Sequence, residues 1–404
     1  MKKIMDKKTF LKTSIASAVF ILASSANAQI DLNAFAPTSA DPSMTKANAV
    51  EVYGNVNIGY VNTNSAGVVS QTIKDMNTGS KVGFFGQRDF NQAGFDSGYA
   101  QLELQYDAAS GSANAGISTR EGWVGLKGGY GDFAFGRGKS GYTKALEFAG
   151  AGFDGSTVFD FSNGNTAYTT SSGVNANRWA NDVRYIYNIG KTAIRADYGI
   201  NTNTNAGLGG TKFDLSIKHP YSTTGVVSAA VMAMKDVSNY STTLSTNYNA
   251  CVTASPTSLT CTSTQIITEP SPLAGANTPG NNNTGYVIGG KEVFHDVIFT
   301  IALQHFTRTT GTNGATSTVQ DEWIGGAAYM LTPKQRINFG FERYLNPVVN
   351  GIANASTGAS TITGLAYNYA LDAKTNLRAE YTKQVRDSGA TGSNKFVSGI
   401  FYTF

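Results

Sequence analysis

The chain has 404 residues, 45 of them glycine and only 14 per cent charged, where ordinary soluble domains carry about 25 per cent. It holds 31 basic against 27 acidic side chains, with no basic stripe interleaved with aromatics, which excludes a nucleic-acid surface. After the first 28 residues no apolar stretch is long enough for a membrane helix. His219, His295, His305, Cys251 and Cys261 form no metal-ligand pattern, so neither a metal nor a cofactor is expected.

The N-terminus carries Lys2, Lys3, Lys7, Lys8 and Lys12 against Asp6 alone. An apolar run from Ile15 to Ala23 follows, broken only by Ser17, and then Ala26-Asn27-Ala28. This order predicts a secretory signal peptide over 1–28. Without it the chain holds 26 basic and 26 acidic side chains, so net charge points to no partner. Residues 29–49 show no strand pattern and predict a flexible extension. Residues 50–404 read as one domain.

From residue 50 the dominant pattern is period two. Ala100-Gln101-Leu102-Glu103-Leu104-Gln105-Tyr106 alternates without a fault, and so does Ile194-Arg195-Ala196-Asp197-Tyr198. Such runs predict about sixteen strands. They lie near 50–61, 80–90, 98–107, 119–128, 131–137, 178–188, 192–201 and 211–219. They continue near 225–235, 284–291, 293–306, 321–331, 335–344, 360–369, 375–383 and 394–404. A soluble β-sandwich also alternates. Many of these runs, however, have the 9–11 residues that a tilted strand needs to cross a bilayer. Tyr60, Tyr106, Trp123, Tyr185, Tyr198, Trp323, Tyr381 and Phe404 sit where aromatic girdles belong. The reading is therefore all-β: a transmembrane antiparallel β-barrel, exported to the outer membrane and in contact with its lipid. In the strand at 131–137, placing Arg137 inward also places Phe133 and Phe135 inward, which leaves a bulge or a protein-facing wall as the two resolutions.

Connections alternate short and long. The short ones at 188–191, 332–334 and 371–374 read as periplasmic turns, the long ones at 138–177 and 236–283 as surface loops. Cys251 and Cys261 fall in the second long loop, where the compartment permits a disulfide and also two separate thiols. Gly129-Tyr130-Gly131-Asp132-Phe133-Ala134 matches a dinucleotide pattern but leads into a strand, not a helix. Gly138-Lys139-Ser140 lacks the glycine a P-loop needs, because that position is Phe133. No hydrolase motif is present, and no enzymatic activity is expected.

Gly79-Ser80-Lys81-Val82-Gly83-Phe84-Phe85-Gly86 resembles the second strand of the general, trimeric bacterial porins. Arg120-Glu121-Gly122-Trp123-Val124-Gly125-Leu126-Lys127, the Gly turn after it and Phe135-Gly136-Arg137 resemble that family more specifically. Val52-Tyr53-Gly54 is similar to its first strand, and the ending Ile400-Phe401-Tyr402-Thr403-Phe404 to its C-terminal aromatic strand.

The resemblance implies a homotrimer and a long third loop, residues 138–177, folded into the pore. It implies a constriction whose basic wall is Lys81, Arg120, Arg137 and Arg178. Glu147, Asp154 and Asp160 are the acids expected on the loop, and Asn55 stands where some members carry a base. A barrel of sixteen strands leaves an aqueous channel, and opposed rows of fixed charge tune ion passage. The expected function is passive diffusion of small hydrophilic solutes and ions. The alternatives are a substrate-specific channel, favoured by inward aromatics such as Phe133 and Phe135, or a surface adhesin or antigen acting through the long loops.

Overall fold

The computed structural model describes residues 49–65, 67–75, 80–106, 108, 117–149, 178–200, 211–235, 244–255, 258–269, 282–310, 316–345, 348–349, 352–353, 360–386 and 392–404. The expected signal peptide and all but the end of the expected extension lie outside these residues.

All sixteen expected strands are present. The first five are β1 (Ala49–Ser65), β2 (Ser80–Gln92), β3 (Phe95–Tyr106), β4 (Ser118–Gly128) and β5 (Gly131–Lys139). The helix α1 (Gly141–Ala149) follows. Next come β6 (Arg178–Ile189), β7 (Thr192–Ile200), β8 (Thr211–Pro220) and β9 (Gly225–Lys235). Then come β10 (Asn282–Phe294), β11 (Val297–Thr310), β12 (Thr316–Thr332) and β13 (Gln335–Tyr344). The chain ends with β14 (Ser360–Ala370), β15 (Thr375–Arg386) and β16 (Ser393–Thr403).

Each strand pairs antiparallel with its sequence neighbour, and β1 closes the ring on β16, Asn55 opposite Thr403 and Ser65 opposite Ser393. Phe404 exchanges two backbone hydrogen bonds with Gly54 across this seam. Closure leaves no free edge, as a bilayer demands of any sheet that crosses it. Short pairs outside the ring extend it: Val68–Asp75 lies on β1, and Val348–Val349 on β12. Leu244–Ser255 and Ser258–Glu269 form a separate hairpin.

The alternation is inside-out relative to a soluble sheet. Leu102, Val124, Phe213, Leu215, Ile217, Phe339, Leu365 and Ile400 are exposed on the outer wall, the place of lipid tails. Asn55, Asn57, Gln101, Glu103, Asp197, Asp214, Asn338 and Glu380 are buried on the inner wall. On the inner wall of β1 and β3, aromatic rings lie flat over glycines of the next strand: Tyr53 covers Gly83, and Tyr99 covers Gly125. A Cβ at either glycine would fall inside the ring. The absent side chain is what lets the ring lie down.

Two expectations need correction. Trp123 is not a girdle residue: it is buried on the inner side, next to Tyr99 and Ala134. Arg120 is the extra residue of a β-bulge, since Glu103 pairs with Glu121 and Leu104 with Thr119. The extra residue shifts the parity of β4, so that Arg120 and Trp123 both serve the lumen. Phe135 does not face inward either: it is 62 per cent exposed on the outer wall. Phe133 packs on Tyr185 and Phe95, near the turn end of the strand. Pairing of β5 with β6 slips between Gly136 and Gly138, where Asn181 takes φ of 53°. The extra residue lies on β6, where residues 180 and 181 stand opposite Arg137 alone.

Candidate functional site

The inner wall of β2 to β4 gathers the first charges. Lys81 Nζ donates to Glu103 Oε2 at 3.0 Å, and Arg120 Nε lies 2.8 Å from Glu103 Oε1. Arg120 Nη1 also donates to Gln105 Oε1 at 3.1 Å. One carboxylate thus holds two bases from the strands on either side, all three nearly out of solvent. Charge-assisted bonds of this kind fix position as well as charge.

Beside this triad lies a row of inward aromatics on four successive strands: Tyr53, Phe85, Tyr99 and Trp123. Their polar ends are engaged. Gln101 Nε2 donates to Tyr53 Oη at 2.9 Å, and Tyr99 Oη donates to Asp132 Oδ1 at 2.7 Å. The Arg184 guanidinium donates to Tyr99 Oη and stands 4.5 Å over the Trp123 ring.

Further round the ring, α1 opens the third loop and lies inside the barrel, against the inner faces of β7 to β11. Ser140 caps it: the Thr143 N–H donates to Ser140 Oγ at 3.2 Å. Two wall carboxylates meet the next orphan donors. Asp197 Oδ2 accepts from Gly141 N at 2.9 Å, and Asp214 Oδ2 from Tyr142 N at 3.3 Å. Carboxylates belong at this end, where the helix presents unpaired N–H groups and partial positive charge. Arg195 clamps Asp197 with two bonds, at 2.7 and 2.8 Å, and donates to the carbonyl of Lys139. Deeper along the helix, Ser228 Oγ donates to the Ala145 carbonyl at 3.1 Å, and Tyr142 is buried.

Of the expected basic wall, Lys81 and Arg120 are brought together. Arg137 is half-buried, within electrostatic reach of Lys212. Arg178 opens β6 opposite Lys139, and its side chain lies outside the described residues. Glu147 falls in α1, with its side chain outside the described residues; Asp154 and Asp160 lie outside them altogether. Asn55 is inward and buried. The partners Glu103, Arg184, Arg195, Asp197 and Asp214 had no place in the expected site. Alternation in Leu102-Glu103-Leu104 and Ile194-Arg195-Ala196-Asp197 already aimed three of them inward, but nothing local said what they would meet. Among the described residues no group of three or more His, Cys, Asp or Glu is placed to hold a metal ion.

The family model described as Gram-negative porin matches residues 13–389. The chain belongs to that family. No curated protein matches this porin in sequence. Among solved structures it is similar to the anion-selective porin of Comamonas acidovorans, with TM-score 0.64 and 14 per cent identity, over 88 per cent of this chain and 99 per cent of that one. A loop-deleted form of OmpT, an outer membrane protein of Vibrio cholerae, gives 0.61 and 16 per cent, over 89 and 100 per cent. OmpF of Salmonella typhi gives 0.55 and 13 per cent, over 89 and 98 per cent. At these identities the likeness establishes the fold. The porin resides in the outer membrane and forms a passive channel through it.

Proposed function

We propose that this porin is a general diffusion channel for small hydrophilic solutes and ions, narrowed between the Lys81–Glu103–Arg120 wall and the third loop that α1 begins. One observation carries the reading. The bases sit on β2 and β4, and the helix packs on β7 to β11, on the other side of the ring. A narrow pore with low-dielectric walls focuses the field of such fixed charges. Arg137 and Arg178 would extend the basic wall, and Glu147, Asp154 and Asp160 would line the loop.

The inward aromatics favour general diffusion over a sugar-specific path. Tyr53, Phe85, Tyr99 and Trp123 are at most 9 per cent exposed. Their faces are spent on glycines, on each other and on Arg184, so little is left for a sugar ring to stack on.

The working unit is proposed to be a homotrimer. Val50, Phe84, Leu102, Val124 and Phe135 rim a groove on the outer face of β1 to β5, floored by Gly86, Ala100 and Gly122. Small residues between large apolar ones let a second wall approach closely, which fluid lipid does not require. Vibrio cholerae OmpT, similar at 15 per cent identity and TM-score 0.61, is described in a trimer form. Residues 1–28 are proposed as the export signal.

Purified porin in a planar bilayer tests the reading. Steady ohmic steps, grouped in threes, and a reversal potential that moves toward cation preference when Arg120 and Arg137 are both made Glu are expected. A folded barrel that passes no current, or whose selectivity ignores both changes, would overturn it.

A further inference from the structure

The outer wall carries a cluster that the channel does not use. Tyr286 on β10, His305 on β11 and Asp321 on β12 are direct cross-strand partners. They face out, because Phe299 and Ile301, which share the parity of His305, are exposed, while Gln304 and Phe306 are buried. Thr307 is two residues on from His305 and so shares its face. Asp321 Oδ1 lies 2.6 Å from His305 Nδ1, and Thr307 Oγ1 lies 3.3 Å from His305 Nε2. The Tyr286 ring stacks on the imidazole, with centroids 4.9 Å apart and planes 17° apart.

The imidazole is therefore engaged at both nitrogens, by a carboxylate on one side and a hydroxyl on the other. That is the order of nucleophile, general base and orienting acid in hydroxyl-based acyl transfer. The hydroxyl contact is slightly longer than a catalytic bond, as is common before substrate binds. A satisfied girdle pair is the plain alternative. A girdle, however, is made of aromatic residues, and it does not call for a carboxylate and a hydroxyl on the two nitrogens of one imidazole. Counted from the turn at His295 and Asp296, His305 stands near the far end of the ~9–11 residues that cross the hydrocarbon. Ester linkages of outer-leaflet lipids lie at that depth.

We propose that Thr307, His305 and Asp321 form a lipid-facing acyl-ester hydrolase site, acting on a carboxylic ester of a membrane lipid whose acyl chain lies along Ile301 and Phe299. Thr307 Oγ1 attacks the ester carbonyl and its proton passes to His305 Nε2. The ester C–O bond breaks, the imidazolium returns the proton to the leaving alkoxide, and the acyl group stays on Thr307. Water, deprotonated by the same nitrogen, releases the fatty acid and restores the hydroxyl. His305 and Thr307 are the catalytic residues, and Asp321 is a positioning residue acting through His305.

The test uses the purified, conducting porin in detergent micelles with p-nitrophenyl laurate and with a fluorescent diacyl phosphatidylethanolamine. Hydrolysis is expected, falling about 100-fold or more in Thr307→Ala and His305→Ala, with conductance and heat-resistant gel migration unchanged. Thr307→Ser should keep the activity, and a fluorophosphonate should label residue 307. Asp321→Asn should lower kcat with little change in KM and alter the pH profile. Absence of hydrolysis by a conducting barrel, or equal hydrolysis by Thr307→Ala and His305→Ala, overturns the proposal. Conductance is read separately, so the channel reading stands or falls apart from it.

Discussion

Asp197, on the channel wall, accepts the backbone N–H of Gly141 at 2.9 Å and so ties the first turn of α1 to β7. The same carboxylate neutralises Arg195. Asp197→Ala removes the acceptor of Gly141 and two side-chain bonds of Arg195 in one step, and a buried group left unpaired costs about 1–3 kcal/mol. The expected outcome is a loosened start to the third loop, read as altered conductance and greater open-channel noise in single-channel records. Asp214→Ala, which loses the longer helix bond, from Tyr142, should do less. Parent-like noise in the Asp197 variant would separate the helix contacts from the constriction.

Glu103 offsets Lys81 and Arg120 together. Glu103→Gln leaves both cations and removes one negative charge, so the reversal potential should move toward anions. Arg120→Glu should move it the opposite way. The two variants measured in the same salt gradient give the sign of each contribution.

Gly125 lies beneath the Tyr99 ring. Gly125→Val forces that ring off the wall and with it the bonds of Tyr99 to Asp132 and Arg184. Overpacking of this sort costs about 1–3 kcal/mol. The heat needed to convert the folded band to the unfolded band on a gel should drop. Gly190→Ala, at a turn glycine with open space around it, should be strained only through its φ of 59° and lower that temperature less.

The turn between β14 and β15 gives a pH dependence. Asp372 accepts the N–H of Lys374 at 2.8 Å and that of Thr375 at 2.7 Å. The Lys374 bond first, then those of Thr375, hold the carboxyl below its usual value. A depressed folded pKa means stability that is present above the unfolded pKa and lost as pH falls through the folded one. Acid titration of amide exchange at Lys374 and Thr375 should show protection falling below the ordinary aspartate range. Asp372→Ala should have weak protection at every pH.

Cys251 and Cys261 face each other in the register of the outlying hairpin. Antiparallel partners stand about 4.5–5.5 Å apart at Cα, within disulfide range. Intact-mass analysis should show a gain of about two hydrogens on reduction, and no thiol labelling before it. Full labelling of the untreated protein would rule out the bridge.

Period-two patterning was enough to locate every strand of the ring, because a strand with lipid on one side and water on the other must alternate along its length. Local chemistry also placed the turns, and the Arg120 segment with its Gly turn identified the family. Depth and parity were less legible. Trp123 reads as a girdle aromatic in the sequence, yet it faces inward, in a strand whose parity is shifted by Arg120, the inserted residue of a bulge.

The site was half legible for a similar reason. Lys81 and Arg120 could be named from their motif, yet their common partner Glu103 is defined only when three strands come into register. Asp197 and Asp214 became helix anchors only because closure of the ring carries α1 to their wall. His305 and Asp321, sixteen positions apart, meet because β11 and β12 pair in one register and no other. Alternation along a strand is a local property and survives in one dimension. Which charge faces which depends on register, bulges and closure, and these exist only after the barrel has formed.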